Sequence, residues 1–335
     1  MIEYSIIIRC CNEVRHIGRL LDAIQRQTLK NVETIIVDSG STDGTLDVAK
    51  QYPVRLLRIS SEEFSFGRSL NIGCQAASGK ILIFVSAHVY PVGETWLEQL
   101  VAPLKNPKVA LTYGKQRGNG STKYSEEQIF RHWFPDESPK DSSYPFCNNA
   151  NAAIKRELWE EIPYDETLSG LEDLDWAKRA AERKYKVVYV PEAEIIHIHE
   201  ERWKQVFNRY RREAIALKQI YPTQRFTARD FVGLMLRNMV SDYFHALHDA
   251  KFRENILSIA FFRFMQFWGT YRGFTHRGEV GAGLKQIFYY PRRFAPQMGN
   301  VKGSRTGDAL TSAQYHHVDK DTIAEGMEHW HRITI

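Results

Sequence analysis

A chain of 335 residues with 43% hydrophobic and 25% charged side chains has the composition of a globular protein, long enough for one large domain or a domain plus an appendage. Four cysteines (Cys10, Cys11, Cys74, Cys147) include no CxxC spacing, which argues for free thiols in a reducing compartment and against a bridged framework. The net charge of +5 is unevenly spread: residues 202–302 hold 18 Lys/Arg against 6 Asp/Glu, and the remainder is net negative by 7.

The opening "MIEYSIII" has no basic leader region and no cleavage site. It is expected to begin a strand, not a signal peptide. Residues 4–10 are the first predicted strand. Ile17, Leu20, Leu21 and Ile24 predict a helix over 15–28. A second strand is expected at 32–38, then a helix opening at Thr42 or Asp43. A third strand (54–60), a helix ended by Gly79, a fourth strand (80–86), a helix over 94–104 and a fifth strand (109–114) follow. Apolar strands alternating with helices predict an α/β fold with a mostly parallel sheet covered on both faces. Ligands bind at the carboxyl ends of such strands.

Residues 115–147 read as irregular, with Gly118, Gly120, Pro135, Pro139 and Pro145; a long irregular segment in a compact domain is usually functional or mobile. A strand and helix are expected in 148–162, a helix over 171–185, and strands at 186–190 and 194–200. From 201 onward four helices are expected, near 202–220, 228–249, 252–272 and 280–290. Val232, Met235, Leu236, Met239, Val240, Tyr243 and Leu247 form one apolar stripe. Ile256, Ile259, Ala260, Phe264 and Phe267 form another. Charges interrupt both, so neither is a membrane span. Core packing and interfacial membrane binding both fit them. The basic surplus of 202–302 points to an anionic surface as partner, such as the inner leaflet of a membrane. No nucleic-acid motif accompanies it. Residues 300–335 form a polar tail whose His316, His317, His329 and His331 do not make a convincing metal tract.

The second strand ends in "VDSGSTDGT" (37–45). A carboxylate there, Asp38, can accept from the N–H of a nucleobase or can simply cap its own turn. The turn from Ser39 to Gly44 leads into a helix N-terminus, which suits an anion.

Together, "IIIRCCNEVRHIGRLLDAI", "VETIIVDSGSTDGT" and "SFGRSLNIGCQAASGKILIFVS" resemble the family 2 glycosyltransferases, inverting enzymes with a GT-A fold. The resemblance covers roughly residues 3–200 and implies a core of that extent, with a nucleotide-binding half (1–112) and an acceptor and catalytic half (113–200). A helical basic region (201–299) and the tail would follow. The resemblance implies that Arg9, Asn12 and Glu13 line the nucleotide pocket with Asp38, Ser39 and Asp43. It implies that Arg68 and Asn71 brace nucleotide and loop. In "GLEDLDW" (170–176) it gives Asp173 the role of general base, with Glu172 beside it. A carboxylate within hydrogen-bond reach of the acceptor hydroxyl can take its proton, although a carboxylate pair at a helix N-terminus is also ordinary dipole chemistry.

The family usually holds Mg²⁺ or Mn²⁺ with an aspartate just after the fourth strand. Here that place reads Ser86, Ala87, His88. Three readings are open. His88 could bind a metal, joined by His197 or His199 of "IIHIHE", and imidazole suits Mn²⁺ better than Mg²⁺. It could neutralise the diphosphate as a cation. It could orient the donor sugar or the acceptor. "SAHVYPVGETWLEQL", "YGKQ" and "FCNNANAAIKRELWEEIPYDE" resemble the rhamnosyltransferase-like branch that builds surface polysaccharides. On the acceptor side are expected Asn148, Asn149, Asn151 and Trp133, with Phe134 and Tyr144 as further stacking surfaces. The expectation is a cytoplasmic enzyme, peripheral at the membrane, that transfers a sugar from a UDP- or dTDP-sugar to a lipid-linked glycan. The rival is a non-catalytic glycan- or nucleotide-sugar-binding subunit, favoured by the missing aspartate and opposed by the intact "LEDLDW".

Overall fold

The computed structural model describes residues 2–138 and 146–289. Eight strands form one sheet: β1 (Tyr4–Cys10), β2 (Val32–Asp38), β3 (Val54–Arg58), β4 (Ile81–Ser86), β5 (Val89–Pro91), β6 (Val109–Arg117), β7 (Asn151–Lys155) and β8 (Lys186–His197). Their order is β3-β2-β1-β4-β7-β6-β8-β5. The first four are mutually parallel. β7 then enters antiparallel to both β4 and β6, and β5 runs antiparallel to β8. An apolar run tells that a strand is buried and not which way it points, so the mixed half was not legible as such.

The helices are α1 (Ile17–Gln25), α2 (Thr45–Ala49), α3 (Phe66–Ala76), α4 (Trp96–Val101), α5 (Tyr124–Trp133), α6 (Arg156–Glu161), α7 (Glu172–Glu182), α8 (Trp203–Ile220), α9 (Ala228–His248), α10 (Phe252–Phe274) and α11 (Ala282–Tyr289). Alternate residues of β1 serve opposite cores, as a pleated strand dictates. Ile7 packs with Leu70 and Cys74 of α3 and Trp176 of α7. Ile6 and Ile8 pack with Leu20 of α1 and Trp96 and Leu97 of α4. Covered on both faces, the sheet offers chemistry only at its edge, where the chain leaves β1 toward one side and β4 lies on the other.

Two expectations are corrected. The segment 115–147 is not irregular throughout: β6 runs on to Arg117 and α5 occupies its middle. The flanking glycines and proline hid a helix whose first turn carries Glu126 and Glu127. The two strands expected at 186–190 and 194–200 are one, passing through Pro191. A register shift between Gly114 and Gln116 on β6 absorbs the missing ladder hydrogen bond. Pro139, Tyr144, Pro145 and the tail histidines lie outside the described residues. All four cysteines are free thiols.

α8, α9 and α10 pack on one another and reach the sheet domain through Leu174 of α7. The stripe on α9 faces outward: Val232, Leu236, Val240, Phe244 and Leu247 are exposed, as are Ile256, Leu257, Phe261 and Phe264 on α10. Ile259 and Phe267 are buried. Among the described residues no helix is long and apolar enough to cross a membrane.

Asn151, expected on the acceptor side, is instead fully buried at the junction of β7, β6 and β8. Its Oδ1 accepts from Trp96 Nε1 at 3.0 Å, and its Nδ2 donates to the carbonyls of Ala193 (2.7 Å) and Lys115 (3.3 Å). It therefore joins strands and cannot touch an acceptor. Asn151→Leu strands these buried groups and is expected to cost about 3 kcal/mol, read as a lowered urea midpoint with unchanged slope.

Candidate active site

The loop after β1 and the turn after β2 are laced together at the sheet edge. Asn12, at φ 58°, donates its backbone N–H to Ser41 Oγ, and its Oδ1 accepts from Thr42 N–H, both at 2.8 Å. Glu13 N–H donates to Thr45 Oγ1 at 2.8 Å. Asp43 accepts from the N–H of Val14 and Thr45. Burial raises the Asp43 carboxyl, but the hydrogen bonds from Thr45 and Val14 outweigh it and hold it low. Asp38 is 1% exposed and accepts from Gly40 and Ser41 N–H at 3.0–3.2 Å. Its visible role is the cap of this turn. Ser39 is also turned inward, donating to the carbonyl of Cys10.

The carboxylates expected at the reaction centre sit in the first turn of α7. Leu171 precedes them in a left-handed conformation, φ 56°, which is strained for a branched residue. Glu172, 4% exposed, pairs with Arg9 Nη1 of β1 at 2.8 Å. Asp173 accepts from the N–H of Asn149 (3.0 Å) and Leu174 (2.8 Å). Burial, then the charge of Glu172, push its carboxyl up to about 7, against the two N–H donors and Arg9. Asp173 opens into a cavity of about 330 Å³, whose wall also includes Trp133, Asn148, His197 and His199.

The three histidines converge. Nδ1 of His88 faces Glu13 Oε1 at 3.0 Å, that of His197 faces Gln116 Oε1 at 2.8 Å, and that of His199 faces Glu126 Oε1 at 2.6 Å. An oxygen acceptor at each Nδ1 fixes the tautomer that leaves Nε2 with its lone pair. The Nε2 atoms of His197 and His199 are 3.1 Å apart, and one nitrogen from each of the three rings lies within 4.8 Å of the others. Two facing lone pairs at that distance require a proton or a cation between them. Burial, then the neighbouring His199 and His88, push His197 well below the usual range, so it resists the proton. Imidazoles each oriented by an oxygen acceptor are the usual surroundings of a metal, so these residues fit a divalent ion. Glu126, Gln116 and Arg209 complete the arrangement and were missed in the sequence. Burial alone would raise Glu126, but Arg209 and His199 hold it at about 2. Glu126 lies in the segment that reads as irregular, and nothing in that text marks it.

Other expected residues fall elsewhere. Asn71 uses its whole amide on α6 and the loop after it. It donates to Tyr164 O and Glu166 Oε1, and it accepts from Trp159 Nε1 and Tyr164 N–H. That is its full capacity, so it braces the loop and not a nucleotide. Arg68 lies between Glu63 and Glu166, 3.5 Å from each. Ala87 is buried in the core, whereas Ser86 closes β4 opposite Arg9. Asn148 accepts from Ala150 N–H and lines the cavity.

Residues 5–162 match the model of Glycosyl transferase family 2. Glycosyltransferase AglE of Haloferax volcanii is 28% identical over 195 residues, 55% of this chain and 63% of that protein. The O-antigen chain rhamnosyltransferase RfbN of Salmonella typhimurium is 26% identical over 204 residues, 57% of this chain and 65% of that protein. The matched stretch thus spans just under two thirds of either relative. Among solved structures, the mannosyltransferase PcManGT from Pyrobaculum calidifontis, in complex with GDP-Man and Mn²⁺, superposes with a TM-score of 0.55 at 19% identity, over 87% of this chain and 88% of that one. The sheet edge, the turn after β2 and these matches agree: residues 5–162 form a domain that matches glycosyl transferase family 2, on a GT-A fold.

Proposed function

We propose that the protein is an inverting glycosyltransferase that moves a sugar from a nucleoside diphosphate donor, UDP- or dTDP-linked, to a hydroxyl of a growing, lipid-linked surface glycan. The observation that carries this reading is that Asp173, His197 and His199 line one cavity, and that His88, grouped with these two histidines, is held by Glu13 of the loop after β1. The named rhamnosyltransferase among the relatives supports the glycan class. In the reaction the acceptor oxygen bonds to the anomeric carbon, the bond to the diphosphate oxygen breaks, and that oxygen keeps the electron pair. The hydroxyl proton passes to Asp173. Arg9 holds the neighbouring Glu172 in an ion pair. Asn12, Ser41 and Thr42 fix the turn against which the nucleotide lies, and Asp38 acts by capping that turn. His88, His197 and His199 would hold a divalent ion, which supplies positive charge for the leaving diphosphate.

The first experiment is release of nucleoside diphosphate from a panel of UDP-, dTDP- and GDP-sugars. One donor is expected to be consumed, and Asp173→Asn is expected to be slower by about 10²–10⁴-fold. Because the base must be ionised and its pKa is about 7, kcat/KM should rise with pH through neutrality and fall off below it. A profile flat down to pH 5 excludes Asp173 as the base. No turnover of any donor, even with membrane extract as acceptor, favours a binding subunit.

Metal binding is checked without activity, by titrating Mn²⁺ and following the free-ion electron paramagnetic resonance signal. The wild type should bind Mn²⁺ more tightly than Mg²⁺ competes for it, since nitrogen donors favour the softer ion. His199→Ala should abolish binding, and Glu126→Gln should weaken it about 10–100-fold. Unaltered free signal with the wild type assigns the histidine pair to a shared proton instead.

The outward apolar faces of α9 and α10, with Lys251, Arg229, Arg237 and Arg253 exposed around them, suit a peripheral contact with an anionic membrane. Flotation with phosphatidylserine vesicles should recover the protein at low salt and lose it with Leu236→Asp plus Phe244→Asp. Recovery indifferent to salt, lipid charge and both substitutions rules the contact out.

A further inference from the structure

The cavity at Asp173 does not end at the sheet. Its far wall belongs to α9 and α10 and includes Asn238, Ser241, Asp242, Arg263, Gln266 and Thr270. All but Ser241 are at most 6% exposed. Such a polar set is a poor way to join two helices, because apolar residues of the same volume hold a helix pair as well or better. Arg263 donates Nε and Nη2 to the two oxygens of Asp242 at 2.7 and 2.8 Å, and Nη1 to Gln266 Oε1 at 2.8 Å. Two of its five N–H groups remain. The amide nitrogen of Gln266 and the hydroxyl of Ser241 form no hydrogen bond among the described residues. These donors border the same space as Asp173.

The charges on this wall cancel. Asp242 neutralises Arg263, and Arg209, at the nearer end, is held by Glu126 and Glu201 at 2.6 and 2.7 Å. A phosphate or carboxylate would find no unpaired guanidinium here. A neutral polyol would find donors and acceptors in a fixed arrangement, and on the side wall the ring of Trp133, itself stacked on Phe146 at 4.3 Å, offers an apolar face. Polar edges with an aromatic wall are the chemistry of a sugar ring.

We infer that the α9–α10 wall is an acceptor subsite that holds a neutral saccharide unit while its hydroxyl, or that of the adjoining unit, reaches Asp173. This rests on the glycosyl-transfer reading above and assigns its acceptor specificity to helices outside the family-matched segment.

The test is saturation-transfer NMR of the full chain with methyl glycosides of rhamnose, mannose, galactose and N-acetylglucosamine. The wild type should transfer saturation to at least one. Gln266→Leu, which keeps the Asp242–Arg263 pair, should weaken that glycoside about tenfold, the worth of one or two hydrogen bonds. Ser241→Val should do the same and breaks no hydrogen bond among the described residues, so a folding defect in one variant does not decide the matter. In transfer assays the KM for the glycoside should rise about tenfold with no matching rise for the nucleotide sugar. The inference is overturned if no glycoside contacts the wild type, if both variants bind it unchanged, or if only inorganic phosphate or pyrophosphate binds in the cavity. Lost glycoside binding in the variants of a protein that consumes no donor would uphold the subsite and sink the transfer reading. Donor consumption with unchanged glycoside binding would do the reverse.

Discussion

The ion pair between Arg9 and Glu172 ties the two halves of the active edge together. Arg9 is at the end of β1 and Glu172 in the first turn of α7, 163 residues later. The guanidinium also lies over the ring of Phe66, which carries Arg212 on it at the same 4.7 Å, so one aromatic ring joins β1, α3 and α8. A pair this buried adds little net stability, but losing one member leaves a charge without compensation. Here that charge would sit beside Asp173. The pair thus ties α7 to β1 and keeps Glu172, whose charge adds to burial in raising the Asp173 carboxyl, in place beside it.

A second compensated charge organises the other side. Glu126 of α5 is 1% exposed and meets His199, two residues past β8, and Arg209 of α8. A carboxylate so placed is tolerable only with these partners. It fixes the His199 ring, and through the 3.1 Å approach to His197 it fixes the cluster. His88 arrives from β4 and is held by Glu13 of the loop after β1. Three oxygen acceptors from three separate segments therefore aim three imidazoles at one point.

The architecture of the first 104 residues was legible because its signals are local. Short apolar runs, the Ser39–Gly44 turn and the caps lie within a few residues of one another, and β1 to β4 and α1 to α4 appear where the pattern put them. The "LEDLDW" carboxylates were singled out through resemblance more than through spacing, and the fold puts Asp173 on the cavity wall and Glu172 against Arg9. What was illegible depends on distant partners. Asn71 and Asn151 look alike as site residues in one dimension, and only the fold shows that their amides are consumed by Trp159 and Tyr164 or by Trp96 and Ala193. Glu126 was lost because α5 is bounded by glycines and a proline that read as loop.

α9 shows why its own reading stayed open. Leu234, Asn238, Asp242 and Ala246, four apart, face inward, whereas Val232, Leu236, Val240 and Phe244, also four apart, face solvent. The apolar periodicity that normally marks a core face here marks the outer one, and the polar residues line a chamber. A helix of this pattern is stable in isolation from neither side: its inner face needs α10 and its outer face is left with about half of each large apolar side chain in water, a state that marks interaction surfaces. His245 lines the cavity while its neighbour Phe244 is 69% exposed, so the mouth of the chamber and the apolar face adjoin. For an acceptor whose sugars need the chamber and whose lipid needs a bilayer, that adjacency would let one helix serve both ends of the same molecule.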